Sequence, residues 1–89
     1  MTQEQNNDFR ERMTILGQLD AASFEPWIRR HAAKLGLAQE FTHRGADRIE
    51  LVLQGSEELI DMMEIGCSLG PIDVWIQTIE RQQIALKEE

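Results

Sequence analysis

Cations are scarce in this 89-residue chain: nine Lys and Arg stand against sixteen Asp and Glu, a formal charge of −7. A protein that grips nucleic acid or an anionic membrane needs clustered cations to replace counterions, so neither is expected as a partner. Cysteine is scarcer still. Cys67 alone cannot form a disulfide within the chain or a Cys-based zinc knuckle, and late in a helical pattern it reads as a small buried apolar side chain. No apolar run approaches the roughly 18 residues of a membrane span. The first residues, MTQEQNND, have neither the basic nor the apolar region of a signal peptide, so the expected location is cytoplasmic.

What the chain does contain is an ordinary globular balance, 42% hydrophobic and 28% charged, which fits one small domain burying roughly 60% of its unfolded surface. Residues 1–10 are polar and aperiodic and read as a flexible leader, 11–84 as the domain, and 85–89 as a frayed tail. Met13 to Leu19 alternates, with Met13, Ile15, Gly17 and Leu19 on one face, which predicts a strand. Ser23 stands where a helix N-cap is expected, and Phe24, Trp27, Ile28, Ala32 and Leu35 follow as one apolar stripe. Pro26 suits a first helical turn, Gly36 a C-terminal stop, and His31 falls on the polar side. Arg29, Arg30 and Lys34 make a basic patch that reads as a solvated helix face.

Gln39 to His43 predicts a short strand. A turn at Arg44–Asp47 follows, with Gly45 expected at positive φ, then a stronger strand from Arg48 to Gln54 with Ile49, Leu51 and Leu53 inward. Ser56 caps a second helix whose buried stripe is expected to be Leu59, Met62, Met63 and Cys67, ended by Gly70-Pro71. Ile72, Val74 and Ile76 alternate into a last strand, with the chain polar and frayed from Gln82. The order β-α-β-β-α-β is that of an α+β, ferredoxin-like sandwich: a four-stranded antiparallel sheet with two helices on one face.

The segment from Gly17 to Leu37, GQLDAASFEPWIRRHAAKLGL, resembles the signature of the acylphosphatase family. There a loop of the form G-x-V-Q-G-V-G-F-R follows the first strand and opens a helix. RIELVLQGSEELIDMM and GPIDVWIQTI are similar to later parts of that family, so the resemblance covers about residues 12–80. It implies the ferredoxin-like fold already reached from periodicity. It also implies a phosphate cradle at Gln18, Leu19, Asp20, Ala21, Ala22, Ser23 and Phe24, a catalytic Arg at the position held by Glu25, and a water-orienting Asn at the position held by His43. Neither functional side chain is present, Asp20 replaces a Gln, and Ala21 and Ser23 replace glycines.

A carboxylate cannot donate the paired hydrogen bonds that a guanidinium gives phosphate. The expectation is therefore a catalytically inactive acylphosphatase-like domain serving as a small binding or interaction module, with a small anion or a protein as partner and with no cofactor and no metal. Two alternatives stay open. One is an acylphosphatase that is weak or works through altered residues, with Arg29, Arg30 or Arg44 replacing the missing cation; Arg29, one turn after Glu25, is expected to pair with it instead. Glu25, His43 and Asp20 facing one another across the mouth would offer an acid–base pair or metal ligands in that case. The other is association through an open sheet edge, with Trp75 the residue to watch and a monomer or weak dimer expected.

Overall fold

In the two central strands Met13 and Ile15, and Ile49, Leu51 and Leu53, recur at every second position and reach one side of a single sheet. The computed structural model describes residues 8–20 and 22–85. Its elements are β1 (Asp8–Gln18), α1 (Phe24–Leu35), β2 (Ala38–Arg44), β3 (Arg48–Ser56), α2 (Glu57–Leu69) and β4 (Trp75–Ile84). The strands lie antiparallel in the order β2-β3-β1-β4, so β2 and β4 are the edges. This is the ferredoxin-like arrangement the sequence pattern predicts.

One buried cluster joins Met13 and Ile15 of β1, Ile49, Leu51 and Leu53 of β3, Phe24, Ile28 and Ala32 of α1, and Ile60, Met63 and Cys67 of α2. Both helices therefore cover the same face. The register aligns Ile79, Ile15 and Ile49 in one row across three strands, with Met13 opposite Leu51 in the next. Each such side chain contributes about 1.5–3 kcal/mol on full burial. Burial, with Glu64 nearby, pushes the Cys67 thiol from 9.0 up to about 12, so it stays protonated in the core. Glu11 lies on this face too and is only 6% exposed. Arg81 of β4 satisfies it at 2.7 Å and also donates to Asp61 at 2.7 Å and Glu64 at 2.8 Å, tying α2 to the sheet. The hydrogen bond to Glu11, more than the other two, holds the Arg81 guanidinium charged well beyond its ordinary value.

Helix α1 ends as expected. Gly36 takes φ 72°, and the N–H groups of Gly36 and Leu37 bond to Ala33 and Ala32 carbonyls at 3.0 and 2.9 Å while Leu37 is buried beneath. Ser56 caps α2 by accepting the Leu59 N–H at 3.4 Å.

Several expectations need correction. β1 begins at Asp8, so residues 8–10 belong to a strand and not to a leader; residues 1–7 and 86–89 lie outside the described residues. β4 starts at Trp75 and continues through Ile84, because pairing with β1 reaches Arg10 opposite Ile84; Gln82 is strand, and Ile72 is a fully exposed turn residue. Ile60, not Met62, faces the core from α2, and Met62 is exposed. Ser23 does not cap α1: its own backbone is helical, and its hydroxyl donates to Asp73 at 3.1 and 3.2 Å. Gly45 is not at positive φ. His31 is half-buried, stacked on Trp27 with ring centroids 5.0 Å apart.

Candidate functional site

At the end of β1 the chain must leave the sheet and cross to α1. A bulge at Leu16/Gly17 starts the turn, and at Gly17 (φ 156°) any Cβ would run into the Trp75 carbonyl of β4. The Gly17 N–H donates to the Asp47 carbonyl at 3.2 Å and the Leu19 N–H to the Ala46 carbonyl at 2.7 Å. These bonds fasten the loop before α1 to the β2–β3 turn. A cavity of about 310 Å³ lies between the two, lined by Leu19, Asp20, Ala22, Glu25, Arg44 and Ala46 among others.

A second bulge decides which side chain of β2 enters this cavity. Phe41 pairs with Leu51, but the next pairs are His43 with Glu50 and Arg44 with Ile49, so Thr42 is the extra residue. Its hydroxyl is clasped by Glu50, at 3.1 Å from the carbonyl and 3.0 Å from the carboxylate. In an unbroken ladder His43 would oppose Ile49 and point toward the helices. The bulge gives that place to Arg44 and leaves His43 exposed on the side of Glu50.

Glu25 is the centre of the resulting charge cluster. Its Oε2 accepts from Arg29 Nη2 at 2.8 Å, one turn along α1, and from Arg44 Nη1 at 2.9 Å, across the cavity. These bonds, Arg29's first and Arg44's second, hold the Glu25 carboxyl below its ordinary 4.5. Phe41 lies under both guanidiniums, 4.9 Å from Arg29 and 5.9 Å from Arg44, ring centroid to central carbon. The cation that the cavity acquires from β2 is thus already paired with the anion it carries on α1.

Of the expected site residues, Leu19, Asp20, Ala22 and Glu25 reach the cavity. Gln18 ends β1 exposed, Phe24 is wholly buried in the core, Ser23 turns toward Asp73, and Ala21 lies outside the described residues. The expected meeting of Glu25 with His43 does not occur, for the reason the Thr42 bulge supplies. Arg29 pairs with Glu25 as the helical spacing predicts. Asp73 was not foreseen: it places a third carboxylate beside the loop through Ser23, and nothing in the local sequence links residues 50 apart. Among the described residues no group of three or more His, Cys, Asp or Glu side chains could hold a metal ion.

No family model and no curated protein matches this sequence. Solved structures do match. An acylphosphatase from Coxiella burnetii superposes with a TM-score of 0.85 at 21% identity, over 100% of this chain and 94% of that one. An acylphosphatase from Bacillus subtilis gives 0.80 at 19% identity, over 90% and 89%. The chain has the acylphosphatase fold. Full-length HypF, in a phosphate- and nucleotide-bound form, contains a similar unit: 0.83 at 17% identity, over 96% of this chain and 11% of HypF. At these identities the likeness is one of fold, and the chemistry has to be argued from this chain's own residues.

Those residues describe a neutralised cavity. Asp20 and Glu25 bring two negative charges, and Arg29 and Arg44 two positive ones. An entering oxyanion would compete with Glu25 for these guanidiniums and lie close to its carboxylate. Two unit charges about 4 Å apart interact by roughly 4 kcal/mol at an effective dielectric near 20, an upper-end figure at a site this open to solvent.

Proposed function

We propose that this chain is a catalytically inactive acylphosphatase-like domain that works as a small binding or interaction module. The observation that carries the reading is the Glu25 carboxylate bonded at once to Arg29 and Arg44, at 2.8 and 2.9 Å. Hydrolysis of an acyl phosphate needs a cation on the phosphoryl oxygens, a positioned water to attack phosphorus, and departure of the carboxylate as the P–O bond breaks. Here both nearby guanidiniums hold an internal carboxylate, and the one amide side chain of β2, Gln39, lines a different cavity with Arg10 and Gln54. Adding acetyl phosphate to the purified protein tests this. Breakdown at the spontaneous rate is the expected result; turnover above it that disappears in Arg44→Ala would contradict it.

One observation favours the second reading, an acylphosphatase with altered residues. Arg44 enters the cavity from β2, so a cation is present even though α1 supplies none at position 25. Under that reading Arg44→Ala abolishes turnover and Glu25→Gln raises it. Association through an edge is supported by Trp75, which stands 66% exposed at the start of edge strand β4.

A further inference from the structure

Helix α2 is apolar on two sides. Ile60, Met63 and Cys67 face the core, while Met62, Ile65 and Leu69 form a second stripe pointing away from it, 51%, 60% and 79% exposed. This stripe borders a groove of about 240 Å³ between the helices, lined by His31, Leu35, Met62, Ile65 and Gly66. The helices meet closely there because Gly66 has no side chain: the His31 ring occupies the place of its missing Cβ. With residue 31 beside 66, and 35 and 62 sharing the groove, α1 and α2 run antiparallel.

The two rims of the groove carry opposite charge. Arg30 and Lys34, one turn apart and exposed, stand on the α1 side; Glu58 and Asp61 are exposed on the α2 side. Arg30, Lys34 and Glu58 form no ion pair among the described residues, and Asp61 shares Arg81 with Glu11 and Glu64. An apolar strip between a basic and an acidic rim complements itself under one kind of two-fold axis. An axis parallel to the helices lays α1 of one copy on α2 of the other. With 31 level with 66 and 35 with 62, Lys34 then comes level with Met63 of the second copy, within two turns of Asp61 and Glu58 and within reach of that acidic rim, while Arg30 comes level with Cys67, twice over. Met62 and Leu35 meet near the axis, and Ile65 and Leu69 come under the aliphatic stems of the basic residues. The perpendicular axis in the same plane would set basic on basic and acidic on acidic.

We propose that the outer face of the helical layer is a homodimer interface, and that the partner it fits is a second copy of this chain packed α1 against α2. The inference rests on the reading of the chain as an interaction module and names its partner. Helices of 12 and 13 residues are about 18–20 Å long at 1.5 Å per residue. They offer less than the ~800 Å² per partner of a standard interface, so the dimer is weak and reversible.

Sedimentation equilibrium from about 10 μM to about 1 mM protein, the range a small interface calls for, tests it. The expected result is a mass rising toward two chains with concentration. Ile65→Glu should weaken association by about tenfold or more, equivalent to ~1.4 kcal/mol, with an unchanged circular-dichroism spectrum. Lys34→Glu should weaken it as well, and adding Glu58→Lys to that variant should restore it. Leu69→Lys, at the exposed helix end, serves the same purpose if Ile65→Glu does not fold. A monomer at every concentration, a dimer indifferent to both apolar variants, or no rescue by the charge swap would overturn the proposal. A monomer that also leaves acetyl phosphate intact removes self-association while the inactivity of the cavity stands.

Discussion

Glu25 occupies a position where one carboxylate oxygen serves two guanidiniums, and that arrangement has a signature in pH. Its folded pKa lies below the ordinary 4.5 because Arg29 and then Arg44 favour the charged form. As pH falls, the unfolded chain takes up the proton first. The pairs therefore stabilise the fold above about pH 4.5 and lose that contribution as pH drops through the folded value. The carboxylate is about one-third exposed, so the effect has the size of a surface pair, roughly 0.2–1 kcal/mol. Unfolding free energies from urea titration of wild type and Glu25→Gln should differ by this amount at neutral pH and converge as the pH falls below 4.5 through the folded value; a difference that stays constant with pH would contradict the pairing. The i, i+4 spacing of Glu25 and Arg29 was legible in the sequence. Arg44 was legible only as one of three cations that could enter the cavity, and its pairing with Glu25 was not, because its direction depends on a bulge that no residue pattern in β2 announces.

Elements were legible where alternation or a helical stripe reached the core, and illegible where tertiary pairing decided. β3 reads directly from Ile49, Leu51 and Leu53, and α1 from Phe24, Ile28 and Ala32. The outer ends of β1 and β4 do not, since residues 8–12 and 80–84 are mostly polar; the first are strand through pairing with β3 and, from Arg10 on, β4, and the second through pairing with β1. Two methionines in a row could not both face inward from α2, and the helical phase chose Met63. Arg81 is the element-scale device the pattern hid: it links β4, β1 and α2 through Glu11, Asp61 and Glu64. Arg81→Met would leave the Glu11 carboxylate, 6% exposed, without its cation. Removing one partner of a buried pair costs about 3–5 kcal/mol, and Arg81 is itself partly exposed, so the lower end is expected. Chemical denaturation would read this directly. A loss under about 1 kcal/mol would mean that water already screens the cluster.

At the scale of the whole molecule, the fold is shared with acylphosphatases at 19–21% identity, while one cavity of this chain holds its opposite charges in pairs. The two facts have separate causes. The fold depends on alternation, stripes and caps that many sequences satisfy, whereas the charge of the cavity depends on a few side chains, Asp20, Glu25, Arg29 and Arg44. A net charge of −7 adds a long-range field that also disfavours anionic substrates. Acidity and a Glu25 carboxylate that holds two guanidiniums support the proposed reading by disfavouring anionic substrates, and the exposed apolar stripe on α2 supports it by offering a surface for contact.

The most direct measurement is a paired titration of the amide spectra of wild type and Glu25→Gln with inorganic phosphate. Wild type should show no saturable shift at Leu19, Ala22 or Arg44, while Glu25→Gln, with both guanidiniums released, should bind about tenfold or more tightly. Saturable phosphate binding by the wild-type cavity, unchanged or weakened in Glu25→Gln, would contradict the account.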